Sequence, residues 1–501
     1  LYVEDCMQID GEPYFGHQRG AYTKEEIKEV VSFGEIFGID LMPCIQTLAH
    51  LNQIFRWDGA FEDIRDCNDI LFIGEEKTYI LIEKMVKTAA QCYKSKRINI
   101  CMDEAHMAGL GKYLDKNGYH DRFDMLINHL KRVISICKKY GFEPEMWGDM
   151  FFRIVFKEYY AFGKKFEKHF TDKIPEDINI YYWDYYHLNQ SEYNEMIDLH
   201  SDLAKTPLKF AGGIYTWIGY APLNNFSVIS MTPALKACRE KNIDDVLFTL
   251  WGDNGNECSR FSVLSSILYL AEKCYDEYIN NDLLDKKLSA LCSYTYEEML
   301  ALDNPNKLYE GKTDKIANPA KYLLYTDPLI FYIGNYIFDN YGEYYQKYYN
   351  QLSELAKRDS RYSYLFDTLA KLCKVLINKA TLPEDIRNAY KANDKNKIKH
   401  IAEHILPRCI EDIKEFYAAL KIQWHKENKR YGFEIQDIRI GGLIQRLENV
   451  SSILSDYVKG VINKLEELEE PYLDVYGTIK REGFKGFVFN HYDRIVSSSL
   501  L

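Results

Sequence analysis

Over the first half of the chain, short apolar runs alternate with amphipathic stretches. The runs are Leu1–Val3, Ile39–Ile45, Ile98–Met102, Phe142–Trp147, Ile178–Trp183, Phe210–Tyr215 and Val246–Trp251. Between them, apolar residues recur at helical spacing in Lys24–Phe37, Tyr79–Tyr93, Phe123–Lys139 and Glu192–Leu203. Thr23, followed three residues on by Glu26, reads as a capping box that opens the first of these helices. Strict alternation of strand and helix predicts parallel strands joined by crossover helices. Past about residue 272 the pattern becomes Lys- and Glu-rich and helical, in Tyr344–Ala356, Tyr364–Ile377, Cys409–Trp424 and Ile444–Leu468. Asp303–Pro319 reads as a polar loop, and the tail beyond Pro471 has no regular pattern.

Seven strands suit either a doubly wound sheet or a barrel. The tryptophans favour the barrel: Trp147, Trp183, Trp217 and Trp251 follow one another at 36, 34 and 34 residues, one per strand–helix unit. Each stands at or just past the C-terminal end of a strand, the face on which a TIM barrel builds its site. The expected fold is thus α/β, a TIM (β/α)8-type barrel over residues 1–272 whose first strand is missing from this chain. A mostly α-helical domain over residues 273–501 follows it.

Composition removes several classes. Among 501 residues the net charge is -12 and no basic run stands out, so nucleic acid is a poor partner. No apolar run is long enough to span a membrane. The 12 cysteines are scattered singly, without metal-ligand spacing, which suits a reducing cytoplasm and suggests no metal site and no cofactor. The chain opens in mid-strand without a start methionine, so targeting signals are not readable.

Asp103-Glu104 ends the apolar run Arg97–Met102. Adjacent carboxylates repel, and a fold tolerates them at a barrel's C-terminal face chiefly for chemistry. Asp-Glu-Ala-His also spells a helicase box, but no phosphate-binding loop precedes it, and Gly311-Lys312-Thr313 lies downstream without the first glycine. His50, just past the preceding strand, is placed to hydrogen-bond a catalytic carboxyl. Arg19, Arg56 and Arg153 are read as loop residues without a role.

These residues resemble glycoside hydrolase family 20, the β-N-acetylhexosaminidases, and within it the bacterial enzymes with a helical C-terminal region. Pro43 and His50 keep the spacing of the family's P-E-I-D-M-P-G-H, and Asp103-Glu104 match the end of H-x-G-G-D-E. Trp147, Trp183, Trp251 and Tyr215 match its strand-end aromatics. Asn99, Cys101, Met102 and Gln46 depart from those motifs, and Asp253 stands where the family has Glu. The family's strand-one arginine has no counterpart. The resemblance implies a retaining exo-hydrolase of glycans bearing terminal β-linked GlcNAc or GalNAc, acting by substrate-assisted catalysis. Glu104 would be the acid and base, Asp103 would orient the acetamide, and Tyr215 would donate to its oxygen. Trp147, Trp183 and Trp251 would box the acetamide, Trp217 would form a wall, and Asp253 would recognise hydroxyls. Glu4 or Asp5 would bond His50 and link it to Glu104. Two other readings stay open: an inactive carbohydrate-binding barrel, and an acetamido-sugar hydrolase of O-GlcNAcase type. The oligomeric state is left open.

Overall fold

The computed structural model describes residues 1–307, 316–330, 333–334, 340–473 and 477. Gly311-Lys312-Thr313 and nearly all of the tail beyond Pro471 lie outside the described residues. By compactness the chain divides into two units, residues 1–212 with 233–248, and residues 213–232 with 249–501. The boundary expected at residue 272 falls within the helix Leu264–Tyr275.

The first unit is a parallel α/β fold. Arg97–Asn99, Glu143–Trp147, Asn179–Trp183, Lys209–Gly213 and Val246–Thr249 form one sheet in that order. Parallel bridges from Tyr2 to Cys44 and from Cys44 to Asn99 carry the pairing back to the first two runs. Spatial order therefore follows chain order without reversal, as in a TIM barrel; a doubly wound sheet reverses at a switch point. The Lys24–Ile36 helix opens as expected: Thr23 Oγ1 accepts from Glu26 N at 3.1 Å, and the Glu26 carboxylate accepts from Thr23 N at 2.8 Å.

Paired residues in a parallel sheet share a face, and the register puts Asn99 beside Glu145, Trp147 beside Tyr181, and Trp183 beside Ala211. This face is polar near the strand starts. Arg97 reaches Glu145 at 2.8 Å and Asp245 at 2.7 Å, while Lys209 reaches Glu145 at 2.5 Å and Asp245 at 2.9 Å. Glu145 is fully buried, so the two cations are what make its charge tolerable there. The alternate residues Ile98, Met146, Ile180, Tyr182 and Phe210 are buried on the other face. Tyr182 there packs its ring 4.6 Å from His200 of the Gln190–Leu203 helix.

Several strands stop earlier than the apolar runs. Ile98–Met102 ends at Asn99 because Cys101 and Met102 adopt left-handed φ values of 60° and 67°, which no strand accommodates.

The second unit is mostly helical. Its core helices include Tyr341–Ala356, Ser363–Lys379, Leu406–Glu427 and Glu434–Lys459. The helix expected over Ile444–Leu468 is divided: Gly460, at φ 75°, caps the long helix, and a short one follows at Glu466–Glu469. The expected polar loop begins instead with a 3-10 helix, Ala301–Asn306, whose Asp303 is buried and accepts the backbone N–H groups of Asn224 and Asn225 at 2.8 Å each. Among the described residues no helix is long and apolar enough to cross a membrane, and all 12 cysteines are free thiols.

Candidate active site

The strand Arg97–Asn99 hands over to a turn that presents Asp103 and Glu104. Cys101, Met102 and Glu104 all have positive φ, with Glu104 at 51°. A left-handed non-glycine residue costs about 1–2 kcal/mol, and such strain gathers where a surrounding structure enforces a functional geometry. The enforcing contacts are visible. Glu104 N–H donates to the buried carboxylate of Asp149 at 3.1 Å. Asn99 Oδ1 accepts from Cys101 N at 2.8 Å.

His50 joins the pair from the neighbouring strand end. Its Nε2 lies 3.2 Å from Asp103 Oδ2 and 3.8 Å from Glu104 Oε2, ion-pair contacts rather than aligned hydrogen bonds. Asp69 holds the other side, accepting His50 N–H at 3.0 Å and lying 3.9 Å from Nδ1. Burial works against charge on the imidazole, but Asp103, Glu104 and Asp69 outweigh it and push its pKa up to about 9. His50 is therefore the counter-cation of the pair at neutral pH.

The backbone behind His50 is fixed by a second histidine. His129 Nε2 is 2.9 Å from Thr47 O, a pure acceptor, so that nitrogen carries the proton. Nδ1 then accepts from Tyr79 OH at 3.0 Å, and Tyr79 OH accepts from Gly74 N–H at 3.2 Å. Complete burial keeps His129 neutral, with its pKa down at about 4.

Asp103 receives a second contact from Gln46, whose Nε2 donates to Oδ1 at 3.2 Å and also meets Tyr2 OH. Arg153 Nη2 approaches Glu104 Oε1 at 3.2 Å, and its Nε donates to Asp149 at 3.0 Å. Burial and the neighbouring Asp103 push the Asp149 carboxyl well above the usual range. Among the described residues, no hydrogen bond or ion pair joins Glu4 or Asp5 to His50, where one was expected; Asp69 takes that place. Asp5 pairs with Arg19 at 3.3 Å. Glu4 is pushed up to about 7 by burial and by Asp5, while His50 pulls it down.

Sequence reasoning therefore named His50, Asp103 and Glu104, which the fold gathers, and passed over Asp69, Gln46, Asp149 and Arg153. Arg153 is not a loop residue: it lies on the helix Asp149–Phe156, one turn from Asp149. An acid and an arginine four apart, directly after the strand-end Trp147, were a signal in the sequence. Arg56 lies in a 3-10 turn and bonds Gln53 at 2.6 Å.

Trp147 and Trp183 share the face of Glu145 and are nearly buried; Trp147 packs 5.5 Å from Tyr181, and Trp183 stacks 5.2 Å from Tyr185. The other predicted residues belong to the second unit. Tyr215 is fully buried and stacks on Trp217 at 4.0 Å. Trp251 O accepts from Thr216 Oγ1 at 2.7 Å, and Asp253 is exposed. The loop carrying Trp251 and Asp253 is clamped just downstream. Lys321 meets Glu257 at 2.7 Å, Arg439 meets it at 2.9 Å, and Arg439 also reaches Asn254 O at 2.8 Å. Asn254, Gly255 and Asn256 all have positive φ, and Gly255, at 115°, holds a backbone conformation that strains any side chain. Among the described residues no cluster of His, Cys, Asp and Glu has metal-binding geometry.

Comparison with known proteins places the chain. The family model "Glycosyl hydrolase family 20, catalytic domain" matches residues 8–198, and "Glycoside Hydrolase 20C C-terminal domain" matches residues 297–487. Hexosaminidase D of Homo sapiens is 21% identical over 195 residues, 37% of this chain and 38% of the human one. An exo-β-N-acetylglucosaminidase from Vibrio harveyi, solved with N-acetylglucosamine, aligns at TM-score 0.43 and 14% identity, covering 60% of this chain and 52% of that one. A β-N-acetylhexosaminidase from Bacteroides fragilis aligns at TM-score 0.40 and 18% identity, covering 58% of this chain and 62% of that one. The chain thus spans less than two thirds of each of these relatives.

Proposed function

Because the chain belongs to glycoside hydrolase family 20, we propose that it is a retaining exo-β-N-acetylhexosaminidase that removes terminal β-linked GlcNAc or GalNAc by substrate-assisted catalysis. The observation that carries this reading is the Asp103–Glu104 pair on its strained turn, with His50 Nε2 at 3.2 and 3.8 Å and Arg153 at 3.2 Å from Glu104.

In this mechanism the substrate's 2-acetamido oxygen attacks the anomeric carbon, the glycosidic bond breaks, and an oxazolinium forms. Glu104 gives its proton to the departing oxygen and then takes one from the incoming water. Asp103, steadied by Gln46 and His50, accepts from the acetamide N–H and balances positive charge on the ring. The family resemblance assigns Tyr215 as donor to the acetamide oxygen, the tryptophans as apolar faces for the acetamide and the sugar, and Asp253 to the hydroxyls. Holding the internal nucleophile in a near-attack pose supplies several kcal/mol of the barrier, on the order of what intramolecular reactions gain.

The test is hydrolysis of chromogenic β-GlcNAc and β-GalNAc glycosides by the wild-type chain beside Glu104→Gln and Asp103→Asn. Turnover by the wild type, and its loss in both variants, is the expected result. A wild type that binds the product sugar without turning over either glycoside would reject the reading in favour of a binding barrel.

A further inference from the structure

Two loops, one following the Leu1–Val3 segment and one carrying His50, bring aromatic side chains to the same spot. The first follows the Leu1–Val3 segment, passes through Glu4 and Asp5, and turns at Tyr14–Arg19. The second continues from His50 through the 3-10 turn Ile54–Arg56 to Trp57. Tyr14 and Trp57 lie with ring centroids 5.6 Å apart, His17 and Trp57 5.2 Å apart, and Tyr14 and His17 6.5 Å apart.

The trio is in contact with solvent: Tyr14 is 48% exposed, His17 is exposed and Trp57 is half-buried. Burying such rings away from water is favourable, so three of them kept at the surface in mutual contact call for an occupant. The platform is also joined to the candidate site. A Cβ on Gly16 would sit 2.4 Å from Asp5 O, so the Tyr14–Arg19 turn lies directly against Asp5, just past the Leu1–Val3 segment. Arg19 ties the turn to Asp5 at 3.3 Å, and the adjacent Glu4 interacts electrostatically with His50 and Asp103. Trp57 stands seven residues past His50, on a segment anchored by Leu51 N–H to Asp69 O at 3.1 Å. Loops after barrel strands are where such a fold places its substrate contacts.

We infer that Tyr14, His17 and Trp57 form a leaving-group subsite, a platform on which a neutral pyranose on the reducing side of the scissile bond stacks its C–H face. This rests on the glycosidase reading above. The ring faces give apolar area to the sugar's C–H surface, and the imidazole and phenol offer polar tips to its hydroxyls. None of the three touches the reacting bond. They act on how strongly the remainder of the glycan is held.

The experiment compares two substrates in the full chain: methyl β-N-acetylglucosaminide, whose leaving group carries no ring, and chitobiose, whose leaving group is a sugar. Trp57→Ala should lower kcat/KM on the disaccharide about tenfold, the usual scale for truncating an aromatic contact, mostly through KM, and leave the methyl glycoside unchanged. Trp57→Phe should restore most of the loss. Tyr14→Ala, at a more exposed position, should show a smaller loss with the same selectivity, and it carries the test if Trp57→Ala does not fold. Equal loss on both substrates, or no loss on the disaccharide, would overturn the inference. A wild type inactive on both would instead sink the glycosidase reading, and the platform with it.

Discussion

Glu257 is the residue whose replacement the structure makes most predictable. Its side chain and that of Lys321 are each 2% exposed and 2.7 Å apart, while Arg439, at 2.9 Å, is 23% exposed. Gln436 Nε2 adds a donor at 3.3 Å. Removing one partner of a buried ion pair costs about 3–5 kcal/mol, because the other charge is stranded without water. Glu257→Gln keeps an oxygen that can accept from Lys321, so the low end applies, about 3 kcal/mol. Lys321→Met removes the stranded cation instead and leaves Glu257 with Arg439 and Gln436, so it should cost about 1–2 kcal/mol. The double variant should be more stable than Glu257→Gln alone, with a coupling of at least ~1.5 kcal/mol. Urea midpoints followed by far-UV circular dichroism read these differences, provided the slopes agree. On the proposed role of Asp253 in recognising sugar hydroxyls, Glu257→Gln should also raise KM more than it lowers kcat, since the same cluster holds the adjacent Asn254. Additive costs in the double variant, or a Glu257→Gln midpoint equal to wild type, would refute the claim that this cluster is a coupled, buried clamp.

Three further outcomes are expected. Glu104→Gln should cut turnover of a poor-leaving-group glycoside by about 10²–10⁴-fold, the scale of general acid catalysis, while product binding, read by calorimetry, stays near wild type. His50 has a pKa raised from 6.5 to about 9, so its cation stabilises the fold fully below about 6.5 and that contribution fades as pH rises through 9; the Tm gap between wild type and His50→Gln should shrink over that window, and the alkaline limb of kcat/KM near pH 9 should vanish in the variant. If the acetamide is the nucleophile, a fluorosugar should not label the protein by mass spectrometry, whereas a thiazoline should bind far tighter than substrate. Asp103→Asn should weaken that inhibitor strongly, and Tyr215→Phe by roughly 1–3 kcal/mol.

The fold was largely legible because its signals are local. Apolar runs of strand length, helical periodicity between them, and the Thr23–Glu26 cap each arise from neighbouring residues, and the elements formed close to where the pattern put them. Misplaced ends have specific causes. The strand at Arg97–Asn99 stops short because Cys101 and Met102 turn left-handed, which nothing in their chemistry announces. The helix ends at Gly460, which turns left-handed at φ 75°, while Gly441 and Gly442 lie within the same helix without breaking it, so glycine alone did not mark the end. Of the site, His50, Asp103 and Glu104 could be named from strand-end position; the i,i+4 spacing of Asp149 and Arg153 hinted at two partners, but nothing local pointed to Asp69.

By itself the sequence determined which segments become strands and helices, and that the chemistry-bearing residues stand at strand ends. Those outcomes depend on hydrophobic period and chain direction, which are written residue by residue. The tertiary structure alone decided the partners: Asp69 on His50 where Glu4 or Asp5 was expected, Arg153 on Glu104, Arg97 and Lys209 sharing Glu145 and Asp245, and Lys321 with Arg439 on Glu257. Each buried charge must find its counter-charge in three dimensions, since leaving it unpaired costs more than any local preference can return. Sequence spacing carries no record of that choice.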